Sequence, residues 1–296
     1  MNNTIYNQKT NRLTLRKLGE EDCSFILELM NSEGWLKFIG DRNVRNETDS
    51  LKYIESIINK DNVIYLVVTL KDDTQIGIIT LIKKDNLEFH DIGFAFLPSY
   101  NNNGYAFEAS KVVLSYIENS TDFRAILAAT VPQNKNSIKL IEKLDLSFYK
   151  TDIHENDELR LYIMDLDKVK IDKLIKILYS AFTNKGIKPN LKFLHETCID
   201  EVVIIKNTKG LCEKYNLENF IEPRKELLTN GTLTEFEEYE IGEQTTIVRN
   251  IAQRLSHYQK DGILNNKRFS NKGTKIFQFV KIGHGWQVCC VIWDDE

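Results

Sequence analysis

The sequence predicts a two-domain α+β chain, on three observations. Its 296 residues exceed the roughly 100–200 of one ordinary domain, and with 42% hydrophobic and 28% charged residues the chain can bury real cores. Helix-period segments open the first half, and short runs of period two then follow one another as a mainly antiparallel meander. From Val169 the pattern restarts with a helix and closes in long alternating runs, as a second α+β domain with a curved antiparallel sheet would. The expected domains are residues 1–168 and 169–296. No Pro/Gly/Ser-rich linker marks the join, so this boundary rests on pattern alone.

Residues 11–16 alternate apolar and polar and predict the first strand, whereas 20–31 place Phe25, Ile26 and Leu29 at helical spacing. A second helix is expected over 48–60, with Leu51, Ile54, Ile57 and Ile58 on its apolar stripe. The β-branched runs 63–70 and 75–83 flank a polar turn at 71–74 and predict a hairpin, and 87–97 is again extended. A polar turn after Pro98 leads to a helix over 106–118, then a strand at 124–130, a helix at 134–144 and a strand at 159–165. In the second half a helix is expected over 171–182, helical or irregular chain to about Leu228, and strands at 245–258, 272–282 and 287–293. No internal repeat is visible.

Charge and composition exclude several classes of partner. With 39 Lys+Arg against 43 Asp+Glu the net charge is -4, so no global field favours nucleic acid or an anionic bilayer. No basic segment followed by an apolar run opens the chain, and no run approaches the 18 or so apolar residues of a membrane span. The five cysteines, Cys23, Cys198, Cys212, Cys289 and Cys290, are odd in number and lack C-x-x-C spacing. They read as reduced thiols of a cytoplasmic protein, and no metal site is expected.

Residues 97–110 carry the chemistry. A strand here feeds a polar turn, Asn101, Asn102, Asn103 and Gly104, that opens a helix at Tyr105 and Ala106. Such a turn aims several backbone N–H groups at one spot, and the helix terminus adds about half a positive charge there. Phosphates bind such spots. Glycine lets the backbone approach a ligand with positive φ, which asparagine also tolerates.

This segment resembles the acyl-CoA loop (Arg/Gln-x-x-Gly-x-Gly/Ala) of the GNAT superfamily of N-acetyltransferases, with Asn101 standing where the family carries Arg or Gln. The run from Gly104 to Ala109 is especially similar to the branch that acetylates ribosomal-protein N-termini. Residues 12–16 resemble the family's opening strand, 90–94 the strand before the loop, and 134–137 with 142–144 the helix beside the pantetheine arm. The resemblance spans about residues 10–166. It departs at Asp145 and Leu146, which replace a Gly-Phe pair, and at Ile141, which stands where many members carry a proton-donating tyrosine.

The resemblance implies acetyl-CoA as co-substrate, no metal, and direct attack of a primary amine on the thioester. The acceptor would be a protein N-terminus or a small amine. An α-amine near pKa 7.7–8.0 costs about 1 kcal/mol to deprotonate at pH 7, against about 4–5 for a lysine. A modest base therefore suffices, for which Asp91 is the first candidate and His90 the second; the alternatives are a strand-edge carboxylate satisfied by a neighbouring backbone group or Arg, and a structural histidine. Ser137 would meet the departing thiolate. The amides of Phe94, Ala95 and Phe96 would hold the acetyl carbonyl and pantetheine, joined by the Asn134 side chain, while residues 101–106 take the diphosphate. For Asn134 and Ser137 helix capping is the alternative, and Glu108 reads as a first-turn partner of the helix dipole. Acceptor contacts are expected from residues 35–45 and from 154–158; Trp35, Phe38 and Arg42 could make them, with ordinary interhelical packing as the equal alternative. The alternative reading is a CoA-binding regulatory or scaffold protein with little or no turnover.

The second half resembles the SnoaL-like, cone-shaped superfamily related to nuclear transport factor two, through residues 250–258, 273–279, 285–288 and 293–296. That resemblance implies a curved sheet wrapped on a helix, with a pocket or a homodimer seam. Arg254, Ser256 and Tyr258 share one strand face by period two and could line a polar pocket, face outward or lie in a dimer seam. His195, Asp200 and His257 are candidates for acid/base work that no spacing brings together.

Overall fold

Strand-forming and helix-forming segments separate cleanly along the first half, and their apolar faces dictate how they stack. The computed structural model describes residues 5–120, 123–154, 157–208, 210–283 and 285–295. The chain divides into two compact units, Met1–Leu166 and Asp167–Glu296.

In the first unit β1 (Gln8–Lys9), β2 (Leu13–Lys17), β3 (Val63–Leu70), β4 (Gln75–Ile82), β5 (His90–Phe96), β6 (Ala125–Thr130), β7 (Ser147–His154) and β8 (Asp157–Asp165) form one sheet. Its order is β1-β2-β3-β4-β5-β6-β8-β7, and of its pairings only β5 with β6 is parallel. The β-branched β3 and β4 are buried almost throughout, as befits central strands. Between them Asp73 takes the left-handed conformation (φ 65°) that a tight hairpin turn demands.

Helices α1 (Cys23–Met30), α2 (Glu33–Phe38), α3 (Glu47–Ile58), α4 (Tyr105–Glu118) and α5 (Lys135–Lys143) accompany this sheet. The Asn46 side chain caps α3 by accepting from the Asp49 amide, so this helix starts one residue before the expected span. The expected helix over 20–31 is split, with a single 3₁₀ turn at Glu20–Asp22 ahead of α1. Phe25, Ile26, Leu29, Ile54 and Ile57 from α1 and α3 pack with Val67 and Ile78 of the sheet. Three elements were illegible in sequence: the two-residue β1, the short α2, and β7, whose exposed Phe148, Tyr149 and Ile153 give no alternation.

The second unit holds α6 (Leu166–Ser180), α7 (Lys192–Thr197), α8 (Leu217–Thr229) and strands β9 (Cys198–Thr208), β10 (Leu211–Tyr215), β11 (Leu233–Val248), β12 (Ile251–Leu264), β13 (Lys267–Ile282) and β14 (Gly285–Asp295). Its sheet runs β10-β9-β14-β13-β12-β11, with only β14 and β9 parallel. Three expectations are corrected here. Helix α6 begins at Leu166, directly after β8, and not at 171. The stretch expected to be helical or irregular contains β9 and β10, a hairpin whose outer strand is too exposed to show a pattern. Residues 245–258 are two strands, because Arg249 adopts φ 56° and turns the chain between β11 and β12.

The inner face of this sheet carries Ala252, Tyr258, Phe277, Phe279, Val288 and Trp293, packed with Ile171, Ile175 and Tyr179 of α6 and Ile221 of α8. Among the described residues no helix is long and apolar enough to cross a membrane.

Candidate functional site

The parallel pairing of β5 with β6 lasts only two residues, His90 opposite Ile126 and Asp91 opposite Leu127. Beyond that the strands part, because the Asp91 carboxylate takes the hydrogen bond of the next β6 amide, Ala129, at 3.1 Å. A side chain thus stands where a strand carbonyl would continue the ladder. Lys84 holds the other oxygen at 2.5 Å. Asp91 is buried, and desolvation raises its pKa against the pull of Lys84 and the amide.

Past the parting point, β5 keeps its partner only on the β4 side. The Leu97 amide donates to the Ile76 carbonyl at 2.9 Å, and the register to Gly93 opposite Thr80 runs without a shift. Antiparallel alternation then directs the Ala95 amide to β4 and leaves those of Phe94 and Phe96 facing the gap. Of the three expected donors, Ala95 is therefore set apart by the ladder itself. Gly93 has its own reason to lack a side chain, since a Cβ there would stand 2.6 Å from the Thr80 hydroxyl oxygen.

The strand ends at Phe96, and after Leu97 a 3₁₀ turn at Pro98–Tyr100 leads into Asn101, Asn102, Asn103 and Gly104, all exposed. Asn102 (φ 63°) and Gly104 (φ 78°) both lie in the left-handed region, which turns the chain sharply into α4. Gly104 is the N-cap and no side chain caps the helix, so the amides of Tyr105, Ala106 and Phe107 keep their capacity for an acceptor. The first intrahelical bond runs from Glu108 to the Gly104 carbonyl.

Arg12 of the chain before β2 braces this bend. Its guanidinium pairs with Glu108 at 2.6 Å, donates to the Asn103 carbonyl at 3.1 Å and lies over the Tyr105 ring at 4.6 Å. Thr10 also donates to Glu108, at 2.5 Å. Against partial burial, these bonds hold the Glu108 carboxyl below its ordinary pKa. Glu108 is thus a brace between α4 and Arg12. The sequence signal was present, an acid in the first turn, but its partner nearly a hundred residues away was not legible.

His90 is half-buried, edge-on to Phe123 at 4.9 Å between centroids. Burial, reinforced by Lys83, lowers its pKa, so the imidazole is neutral at pH 7. On α5, the Asn134 side chain accepts from the Ser137 amide at 3.1 Å, which is N-capping. The Ser137 hydroxyl makes no hydrogen bond with the described residues. Ile141 is buried. Asp145, just past the end of α5, takes φ 67°, a conformation that a glycine would adopt without strain.

Of its two readings Trp35 takes the packing role, as a core residue 5% exposed in one cluster with Leu29 and Val44. Its indole N–H nonetheless has no hydrogen-bond partner among the described residues. Phe38 is half-buried and Arg42 exposed. Of the other expected acceptor segment, Glu155 and Asn156 lie outside the described residues, as does Glu296 of the final motif.

In the second unit Arg254 and Ser256 lie on the inner face, which excludes an outward face or seam for them. Arg254 is 3% exposed and bonds Asp172, Glu240 and Glu243, and Ser256 joins Glu240 to Tyr179. His195 approaches Glu218 at 3.7 Å and His257 approaches Thr274 at 3.1 Å, so neither joins the other or Asp200. Among the described residues no group of three or more His, Cys, Asp or Glu could hold a metal ion.

Comparison with known proteins agrees on the first unit. The acetyltransferase (GNAT) domain family matches residues 12–147. The chain is 30% identical to the uncharacterized N-acetyltransferase YnaD of Bacillus subtilis over 154 residues, 50% of this chain and 89% of that protein. It is similar in structure to the acetyltransferase (GNAT family) from Bacillus anthracis, at 24% identity and a TM-score of 0.47 over 53% of this chain and 97% of that one. Spermidine N-acetyltransferase from Vibrio cholerae, in complex with CoA and spermine, is similar at 17% identity and a TM-score of 0.48, over 54% of this chain and 98% of that one. The likeness to YnaD at 30% identity over most of its length, on the stretch that the family also matches, leads to one conclusion: the chain belongs to the GNAT family of acetyltransferases.

Proposed function

We propose that the first unit transfers an acetyl group from acetyl-CoA to a primary amine, a protein N-terminus or a small amine, by direct attack. One observation carries this reading: β5 and β6 part after two residue pairs, beside a helix whose N-terminus no side chain caps. The bend at residues 101–106 would take the diphosphate on backbone amides, where the helix dipole favours negative charge. The Phe94 and Phe96 amides would donate to the pantetheine arm and the acetyl carbonyl. These donors are fixed by the sheet before charge develops, which is how main-chain groups stabilise a transition state. The thioester supplies an activated carbonyl.

The remaining chemistry falls to side chains. Asp91 is committed to Ala129 and Lys84, which favours a structural role as the wedge that ends the β5–β6 ladder. His90, neutral at pH 7, is then the group available to accept a proton from the amine. The unbonded Ser137 hydroxyl would donate to the departing thiolate. Asn134 keeps its carboxamide oxygen in the cap and can offer its N–H₂ to the pantetheine.

For the second unit we propose a SnoaL-like domain, on the support of its strand order and of the helices packed on one sheet face. Its other face carries Val248, Ile251, Ile276 and Ile292, all exposed, a surface suited to a second copy of the chain. None of the five cysteines is paired, in keeping with a cytoplasmic setting.

The test is an acceptor screen with purified protein, labelled acetyl-CoA and a panel of peptides with free N-termini, polyamines and amino sugars. Acetylation of one class with stoichiometric thiol release is expected. Acetyl-CoA binding without release for any amine would instead favour a CoA-binding regulatory or scaffold protein.

A further inference from the structure

A cavity of about 780 Å³ opens within the second unit, between the inner sheet face and helices α6 and α8. That volume suits a drug-sized molecule, and its depth is apolar, with Phe182, Phe220, Leu228, Phe277 and Trp293 among its walls. Its charge is one-sided. Lys206, Arg224, Lys260, Lys267, Arg268 and Lys275 line it, against only Glu238 and Asp295. This excess of cations stands in a chain whose net charge is -4.

The two acids are already spoken for. Lys275 pairs with Glu238 at 2.7 Å, and its ammonium lies over the rings of Tyr258 at 4.3 Å and Tyr179 at 4.8 Å. Lys260 pairs with Asp295 at 2.6 Å, and Tyr258 donates to the same carboxylate. Arg268 pairs with Glu235 nearer solvent.

Arg224 is different. It is half-buried, and among the described residues no carboxylate lies within ion-pair distance of it. Its guanidinium sits 3.6 Å over the Phe220 ring and donates one N–H to the Phe220 carbonyl at 3.0 Å. Burial pulls its pKa down, and only Tyr215 and more distant acids offset this. A guanidinium has five N–H donors in a planar fork that fits a carboxylate at two points, and with the Phe220 carbonyl and the Tyr215 hydroxyl engaged the others remain for a ligand. A desolvated cation without a counter-ion is costly unless an anion completes it.

We infer that this cavity is a binding site for a hydrophobic carboxylate, whose apolar body lies among Phe182, Phe220 and Trp293 and whose carboxylate pairs with Arg224. The site goes beyond acetyl transfer and does not depend on it, so either can fail alone.

The test is calorimetric titration of the full-length protein with 2-naphthoate and with 2-(aminomethyl)naphthalene, which share a body and differ in charge. One naphthoate per chain is expected, with the ammonium compound at least about tenfold weaker, as an unpaired charge against a cationic wall requires. Arg224→Gln should weaken naphthoate at least about tenfold, and Arg224→Lys less, since a point charge keeps attraction without the fork. Leu228→Trp, which fills the cavity, should abolish binding while circular dichroism stays that of the parent. Equal affinity for the two compounds, binding of neither, or unchanged naphthoate affinity in a folded Arg224→Gln would overturn the assignment.

Discussion

The Asp91 carboxylate accepts the Ala129 amide at 3.1 Å at the point where β5 and β6 part. Its removal takes a partner from the part-buried Ala129 amide and from the Lys84 ammonium together. Asp91→Ala is expected to cost about 2–3 kcal/mol, the range for losing hydrogen bonds to a charged group, and Asp91→Asn less because its carbonyl can still accept from Ala129. Urea denaturation checks the order. Equal losses would show that the amide bond is not what the carboxylate contributes.

His90 gives the reaction its expected pH dependence. A base must be neutral to work, and burial places this imidazole below its ordinary value of 6.5. Activity should therefore be full at pH 7 and fall only as the pH drops through the lowered value. His90→Gln should remove that limb from kcat/KM. A limb of the same position in the variant would pass the role to another group or to water.

Gly104 at φ 78° bends the chain into α4, and a Cβ there would stand 3.5 Å from the Arg12 guanidinium. Gly104→Val should cost roughly 1–2 kcal/mol of backbone strain and weaken acetyl-CoA strongly by crowding the bend. Gly104→Ala should keep more affinity. Calorimetry with acetyl-CoA reads both, and unchanged affinity in the valine variant would remove the bend from the cofactor site.

Asn134 and Ser137 are separable although they share one cap. Asn134→Ala should cost about 1 kcal/mol, the usual loss for an N-cap. Ser137→Ala leaves the cap intact because only the Ser137 amide is used. It should spare the melting temperature and lower kcat. A serine variant that loses stability but not turnover would contradict the division.

Asp145 holds φ 67° after α5, and its contact with Lys111 is long, 3.5 Å, between exposed groups. Asp145→Gly should therefore stabilise the unit, by about 1 kcal/mol, since the strain relieved exceeds a surface ion pair. Chemical denaturation measures this. A loss would mean that the pair with Lys111 matters more than the backbone.

The positions of α3 and α4 could be read from the sequence because each buries one face, which writes a helical period into the residues, and those of β3, β4 and β6 because strands buried on both faces are short apolar runs. The polar bend at residues 101–104 was equally plain, since only Asn and Gly tolerate such φ values cheaply. Strands β7 and β10 were not legible, being exposed edge strands that no core forces to alternate.

The α+β class, the bend and the residue types around it can be read along the chain, because these are local preferences of backbone and burial. Tertiary structure alone decided that Asp91 is a wedge, that Ala95 faces β4, that Glu108 belongs to Arg12 and that Arg224 looks into a cavity without a carboxylate of its own. Each of these depends on which distant strand or helix lies alongside, and hydrogen bonds and charge pairs a few ångströms long carry no trace along the chain.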